Sequence, residues 1–225
     1  MPDHTHEPET TFDRRLFSKV LYPRFAKAAR EHGDDEHRAE LLAGLSGRVI
    51  EVGAGDGANF AHYPPTVTEV VAVEPENHLR AIAEKKAADA AVAVRVVGGV
   101  ADHLPGDPDS FDAAVASLVL CSVPDQPAAL AEIRRVLRPG GELRFYEHVR
   151  GEGRVLVGLQ SAITPIWSRL GGGCHLNRDT ESAIGRAGFA IEEINRFEFA
   201  SGQVDKLGGP HILGRAVRPQ LEDGA

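Results

Sequence analysis

Two carboxylates, Glu51 and Asp56, stand among the closely spaced glycines Gly53, Gly55 and Gly57, and a third, Glu74, follows about 20 residues on. Glycines spaced this way let a main chain turn tightly and approach a ligand that larger residues would exclude. Gly53-Ala54-Gly55-Asp56-Gly57-Ala58 fits the dinucleotide pattern G-x-G-x-x-A, with Asn59 following. Glu74-Pro75 sits where an acid would hold a ribose. A ribose is common to NAD and S-adenosylmethionine, so Glu74 leaves both open.

Charge separates them. A pyrophosphate needs unopposed N–H groups at a helix start, and Glu51 and Asp56 would oppose it. At an effective dielectric of ~20, like charges ~5 Å apart cost on the order of 3 kcal/mol. A sulfonium and an α-ammonium would be attracted instead. The acids favour S-adenosylmethionine and leave an NAD-dependent oxidoreductase as the alternative. Ala101-Asp102-His103 offers an acid for an adenine amino group with apolar neighbours for its ring, and Ser117-Leu118 reaches the same edge. Asp102 and Asp56 also suit plain turns.

These residues need a parallel sheet to position them. Apolar runs at Val49–Val52, Val67–Val73, Ala93–Val97, Phe111–Leu120 and Glu142–Glu147 alternate with helical spacing at Asn77–Lys86 and after Asp125. That order makes an α/β Rossmann-like fold with right-handed crossovers. Phe189–Phe197 and His211–Val217, joined without a helical pattern, predict an antiparallel pair. Residues 1–11 read as a disordered tail, 12–45 as an N-terminal helical cap broken or kinked at Pro23, and 46–225 as one domain with a helical insertion at about 150–178. The 225 residues suffice for one sizeable core. A net charge of −8 speaks against nucleic acid, two cysteines fit a reducing cytoplasm, and no apolar stretch is long enough to cross a bilayer.

The motifs from Glu51 to Glu147, with Leu137-Arg138-Pro139-Gly140-Gly141, resemble a class I S-adenosylmethionine-dependent methyltransferase with its seven-stranded sheet. Leu118–Val123, Glu147-His148-Val149, Gly173–Thr180 and Gly209–Ala216 further resemble the methyltransferase-like family whose animal members methylate small thiols. The resemblance covers roughly Leu45 to Arg218. It implies a small thiol as acceptor, with a phospholipid head-group nitrogen or a quinone-like ring as alternatives. A non-catalytic cofactor-binding scaffold is the remaining reading. The animal proteins open with a hydrophobic anchoring segment and this chain opens with a polar stretch, so membrane attachment is not carried over.

On that resemblance Glu51, Gly53, Gly55 and Gly57 hold the methionine end, Glu74 the ribose and Asp102 the adenine, with Ala54, Asn59, Pro75, Ala101, His103, Ser117 and Leu118 around them. A thiol of pKa ~8.5 needs modest help to ionise. His148, at the end of the fifth strand, is the candidate base. Trp167, His175, Arg178 and His211 are candidates for the acceptor pocket. Cys121 reads as a buried core residue, and Cys174-His175 lacks the spaced partners of a zinc site, so no metal is expected.

Overall fold

The computed structural model describes residues 17–200 and 208–220. The expected tail and the first residues of the cap segment lie outside them. A π-helical turn at Phe17–Leu21 leads into α1 (Tyr22–Glu31) and α2 (Asp34–Leu42). The domain follows as β1 (Gly47–Val52), β2 (Val67–Val73), α3 (Asn77–Ala87), β3 (Val94–Val97), β4 (Phe111–Ser117), α4 (Gln126–Val136), β5 (Leu137–His148), α5 (Arg154–Leu170), α6 (Thr180–Arg186), β6 (Ala190–Glu198) and β7 (Pro210–Val217).

One seven-stranded sheet has the order β3-β2-β1-β4-β5-β7-β6. The first five strands are parallel, and β7 runs antiparallel to both β5 and β6. Successive strand residues face opposite sides, so the sheet carries two cores. Ile50, Val52, Phe111 and Phe145 pack with Leu130, Ile133 and Val136 of α4 on one face, while Val49, Val70 and Tyr146 pack with Leu41 and Leu42 of α2 on the other. Each fully buried aliphatic side chain in that α4 stripe contributes about 1.5–3 kcal/mol over an exposed one. The helix is started by Asp125, whose carboxylate accepts from the Ala128 N–H at 2.9 Å, with Pro127 in its first turn.

The order reverses between β1 and β4. A crevice must open there, outside the carboxyl ends of the strands. Three local expectations are corrected. The fourth strand stops at Ser117 rather than Leu120, because Leu118 adopts φ +60° and turns the chain out of the sheet. The fifth begins at Leu137, which pairs with Phe111, and after a register shift across Arg138–Gly141 regular pairing resumes at Ala113 and Glu142. Pro23 does not end the helical run but sits in the first turn of α1, where the π-helical turn Phe17–Leu21 passes directly into the α-helix.

Candidate active site

A cleft of about 1500 Å3 opens at the reversal point, between the carboxyl ends of the parallel strands and residues of α1, α2 and α5. That exceeds the ~300–1,000 Å3 typical of a pocket for one small ligand, which leaves room for a second. One half lies over β1, β2 and β3. Gly53 and Gly55 line it with φ of +66° and +57°. A Cβ on Gly53 would meet Val119 Cγ2 at 2.4 Å, so only glycine lets the turn approach the loop after β4.

Glu74 directly follows β2 and lines this half, and is 5% exposed. Its Oε2 accepts from the Gly55 N–H and its Oε1 from the Glu76 N–H, both at 2.8 Å. Burial raises its carboxyl above the usual range, while the two N–H donors hold against that rise. Pro75 lines the same wall. Ala101, Asp102 and His103 approach from the loop after β3, with Asp102 and His103 exposed. Leu118 completes this part of the lining beside Val119.

The remaining residues expected around the cofactor stand behind the lining. Glu51 is 2% exposed, and its carboxylate accepts from Asn59 Nδ2 at 2.9 Å and the Tyr63 hydroxyl at 2.8 Å. Burial lifts it to about 7. Asp56 accepts from Lys86 Nζ and the Tyr22 hydroxyl, each at 2.8 Å, which keeps it below the usual range despite burial. Both acids whose charge spoke for a cationic ligand are thus partnered inside the protein, because a buried carboxylate without a partner is expensive. Of the acids singled out, it is Glu74 and Asp102 that line the cleft. Ala54 and Gly57 shape the turn, Gly57 at φ +77° against the Phe60 ring. Asn59 and Ser117 accept from Arg38 Nη1 at 2.8 and 3.2 Å, while Arg38 Nε donates to Asp34 at 2.6 Å.

The other half lies over β4, β5 and β7. His148 ends β5 directly opposite His211 of β7, with ring centroids 4.3 Å apart. His211 is buried and its Nδ1 contacts the Gly209 carbonyl at 2.7 Å, and burial beside His148 depresses its pKa well below the imidazole range. His148 Nδ1 also stands 3.7 Å from Cys121 Sγ and 3.8 Å from Cys174 Sγ. His148, His211, Cys121 and Cys174 all line the cleft. Trp167 of α5 packs on the two cysteines with Ile163 and Leu176, and its ring meets Phe25 of α1 at 6.1 Å. Tyr22 ties α1 to the glycine turn through Asp56, so the cap reaches both halves.

Two expected acceptor contacts lie outside the cleft lining. Arg178 donates to the carbonyls of Leu120 and Val123 at 2.6 and 2.7 Å, which fastens the loop after β4. His175 Nδ1 contacts the Gly173 carbonyl at 2.6 Å and its N–H donates to the Cys121 carbonyl at 2.8 Å. Both brace the β4–β5–β7 half from behind. Sequence reading missed Glu147, the hub of that half. It is fully buried, and its carboxylate accepts from the N–H groups of Val119, Leu120 and Cys121 at 2.8–3.0 Å. A carboxylate inside an apolar strand was the available signal. The meeting of Cys121, His148 and Cys174 had none, since 27 and 26 residues separate them along the chain.

The family model of a methyltransferase domain matches residues 50–145. Thiol S-methyltransferase TMT1B of Rattus norvegicus is 36% identical over 184 residues, which cover 79% of this chain and 74% of that protein. Thiol S-methyltransferase TMT1A of Homo sapiens is 37% identical over 185 residues, with the same coverage of 79% and 74%. Among solved structures, the phosphoethanolamine N-methyltransferase 2 of Haemonchus contortus in complex with S-adenosyl-L-methionine superposes with a TM-score of 0.68 at 15% identity, over 93% of this chain and 60% of that one. At that identity the likeness speaks for the fold alone.

Proposed function

The chain belongs to the thiol S-methyltransferase family, and from that premise we propose that it methylates the sulfur of a small thiol received in the β4–β5–β7 half of its cleft. S-adenosylmethionine is the methyl donor, and when bound it supplies an activated methyl group on a sulfonium sulfur. The cleft fits it: a glycine-lined turn too close to Val119 for any Cβ, with the Glu74 carboxylate beside it. Gly53 and Gly55 hold the methionine end, Glu74 with Pro75 the ribose, and Asp102 with Ala101, His103 and Leu118 the adenine. Glu51 and Asn59 hold the turn in shape from behind.

The observation that carries the acceptor assignment is the wall of Cys121, Cys174, His148 and Trp167 in the same cleft as this turn. It is apolar and soft, with an imidazole, which suits a small thiol and bears on the proton that thiol must lose. His148 lowers the acceptor's hold on that proton. Trp167 and Phe25 close over the site and exclude water, and α1 acts as the lid. The chain's own contribution is otherwise alignment of nucleophile and methyl carbon. Among the described residues no helix is long and apolar enough to cross a membrane. We place the enzyme in the cytoplasm, where Cys121 and Cys174 stay reduced.

The test is incubation with methyl-labelled cofactor and a panel of thiols, amines and phenols. Label is expected on thiols, with kcat/KM for amines and phenols lower by on the order of 100-fold. Label on amines or phenols in preference to thiols would sink the reading.

A further inference from the structure

The β4–β5–β7 half of the cleft brings together three side chains from three separate segments. Cys121 comes from the loop after β4, His148 from the end of β5, and Cys174 from the loop before α6. Their donor atoms all lie within 4.8 Å of one another, and His148 Nδ1 is 3.7 and 3.8 Å from the two sulfurs. A tetrahedral Zn2+ with bonds of about 2.3 Å to sulfur and about 2.0–2.1 Å to nitrogen has sulfur–nitrogen edges of about 3.6 Å. Both observed edges match that length within about 0.2 Å. We propose that Cys121, Cys174 and His148 form a Zn2+ site with its fourth position open to the cleft, and that the acceptor sulfur occupies this position.

Donor chemistry selects the ion. Two thiolates and an imidazole suit a borderline-soft cation with no geometric preference of its own, and three protein ligands with an open position are the pattern of a reactive rather than a structural zinc. Two thiolates neutralise the cation's charge, so the bound trio is neutral in a buried place. The ligands are also braced before any ion arrives. The Cys121 N–H donates to Glu147, and its carbonyl accepts from the His175 N–H beside Cys174. Arg178 fastens the carbonyls on both sides of that loop. Ile163, Trp167 and Leu176 give the sulfurs an apolar surround, which strengthens the bonds within it.

The site solves a problem the methyl transfer poses. A thiol of pKa ~8.5 is mostly protonated at neutral pH. On the cation it binds as thiolate and its proton leaves to water. A sulfur lone pair then forms the new carbon–sulfur bond to the methyl carbon. The methyl–sulfonium bond breaks, and its electron pair stays on the departing sulfur as S-adenosylhomocysteine. The neutral thioether product is a poor zinc ligand and dissociates. This second half rests on the thiol reading given above, whereas the cation site does not.

The experiment uses the whole chain, purified under reducing conditions and stripped with a chelator. It is titrated with Zn2+ and, separately, with Co2+, whose spectrum reports tetrahedral thiolate ligation. One cation per chain is expected, with a sulfur-to-cobalt charge-transfer band in the unsubstituted protein. Cys121→Ser and Cys174→Ser should each weaken binding on the order of 100-fold or more, and His148→Ala should weaken it while leaving the thiolate band. Adding benzyl mercaptan should then intensify that band as a third sulfur joins. No uptake beyond that of the Cys121→Ser/Cys174→Ser double variant, or a Cys121–Cys174 disulfide in its place, overturns the site. A cobalt band that benzyl mercaptan leaves unchanged, while the same thiol is methylated, overturns the open position. A site that binds cation and benzyl mercaptan without methyl transfer to any thiol supports this inference and defeats the thiol reading instead.

Discussion

The two halves of the cleft are built differently. The half over β1–β3 is made of main chain held by short-range devices: a glycine turn at positive φ, and a carboxylate at the next strand's end that accepts from that turn at 2.8 Å. The half over β4, β5 and β7 is made of side chains from distant segments, gathered by Glu147 and Arg178 around the loop after β4. A main-chain cradle suits one invariant ligand, since almost any side chains can flank it. A wall of side chains can be altered without touching the cradle. This explains why a structure at 15% identity shares the fold, while an acceptor has to be argued from this chain's own residues.

The strongest way to break that division is Glu147→Ala. Three buried N–H groups would lose their acceptor, and stability should fall by on the order of 4 kcal/mol in urea unfolding. Affinity for S-adenosylhomocysteine at saturating fold should change by less than about threefold. A matching loss of that affinity would mean the halves are one unit.

Glu51 supplies a pH test of the cradle's support. Its folded carboxyl titrates at about 7 against 4.5 for the ordinary group, because it is buried. Between these values the native chain holds a proton the unfolded chain has lost. The group's contribution is therefore fully present below about 4.5 and is lost as pH rises through about 7. The unfolding free energy of the native chain minus that of Glu51→Gln should fall by up to about 3 kcal/mol from mildly acid to mildly alkaline pH. A flat difference would show that the Asn59 and Tyr63 donors keep the carboxylate ionised throughout.

Gly53→Ala places a Cβ 2.4 Å from Val119 at φ +66°. Calorimetric affinity for S-adenosylhomocysteine should drop on the order of 100-fold, about 2.7 kcal/mol, with cation uptake by the thiol cluster unchanged. The smallest effect should come from Phe25→Ala. Losing the ring contact with Trp167 is worth about 1 kcal/mol and should raise the acceptor's KM about fivefold with the cofactor's affinity intact. An effect on cofactor affinity instead would assign the lid to the other half.

What could be read from the sequence divides along the same line. Strands such as Val67–Val73 announce themselves through β-branched runs, and the Gly53–Gly57 turn through spacing within a few residues. The destinations of Glu51 and Asp56 were not legible, because Tyr63, Lys86 and Tyr22 are brought to them by packing that leaves no periodic trace. Arg38 stands 79 residues from Ser117 and bonds to it. His148 and Cys174 stand at the ends of unrelated segments, so their contact could follow only from the sheet order and the loop before α6. Local pattern carries backbone conformation. Side-chain meetings across the sheet edge are a property of topology.

The most direct test of the central claim is to offer the enzyme a mercaptophenol with 13C-methyl-labelled S-adenosylmethionine and read the product by carbon NMR. The two nucleophiles share one small ring, so size and access to the cleft are equal. The account predicts an S-methyl signal with the phenol oxygen unmodified. An O-methyl signal, or a methylated ring carbon, would contradict it.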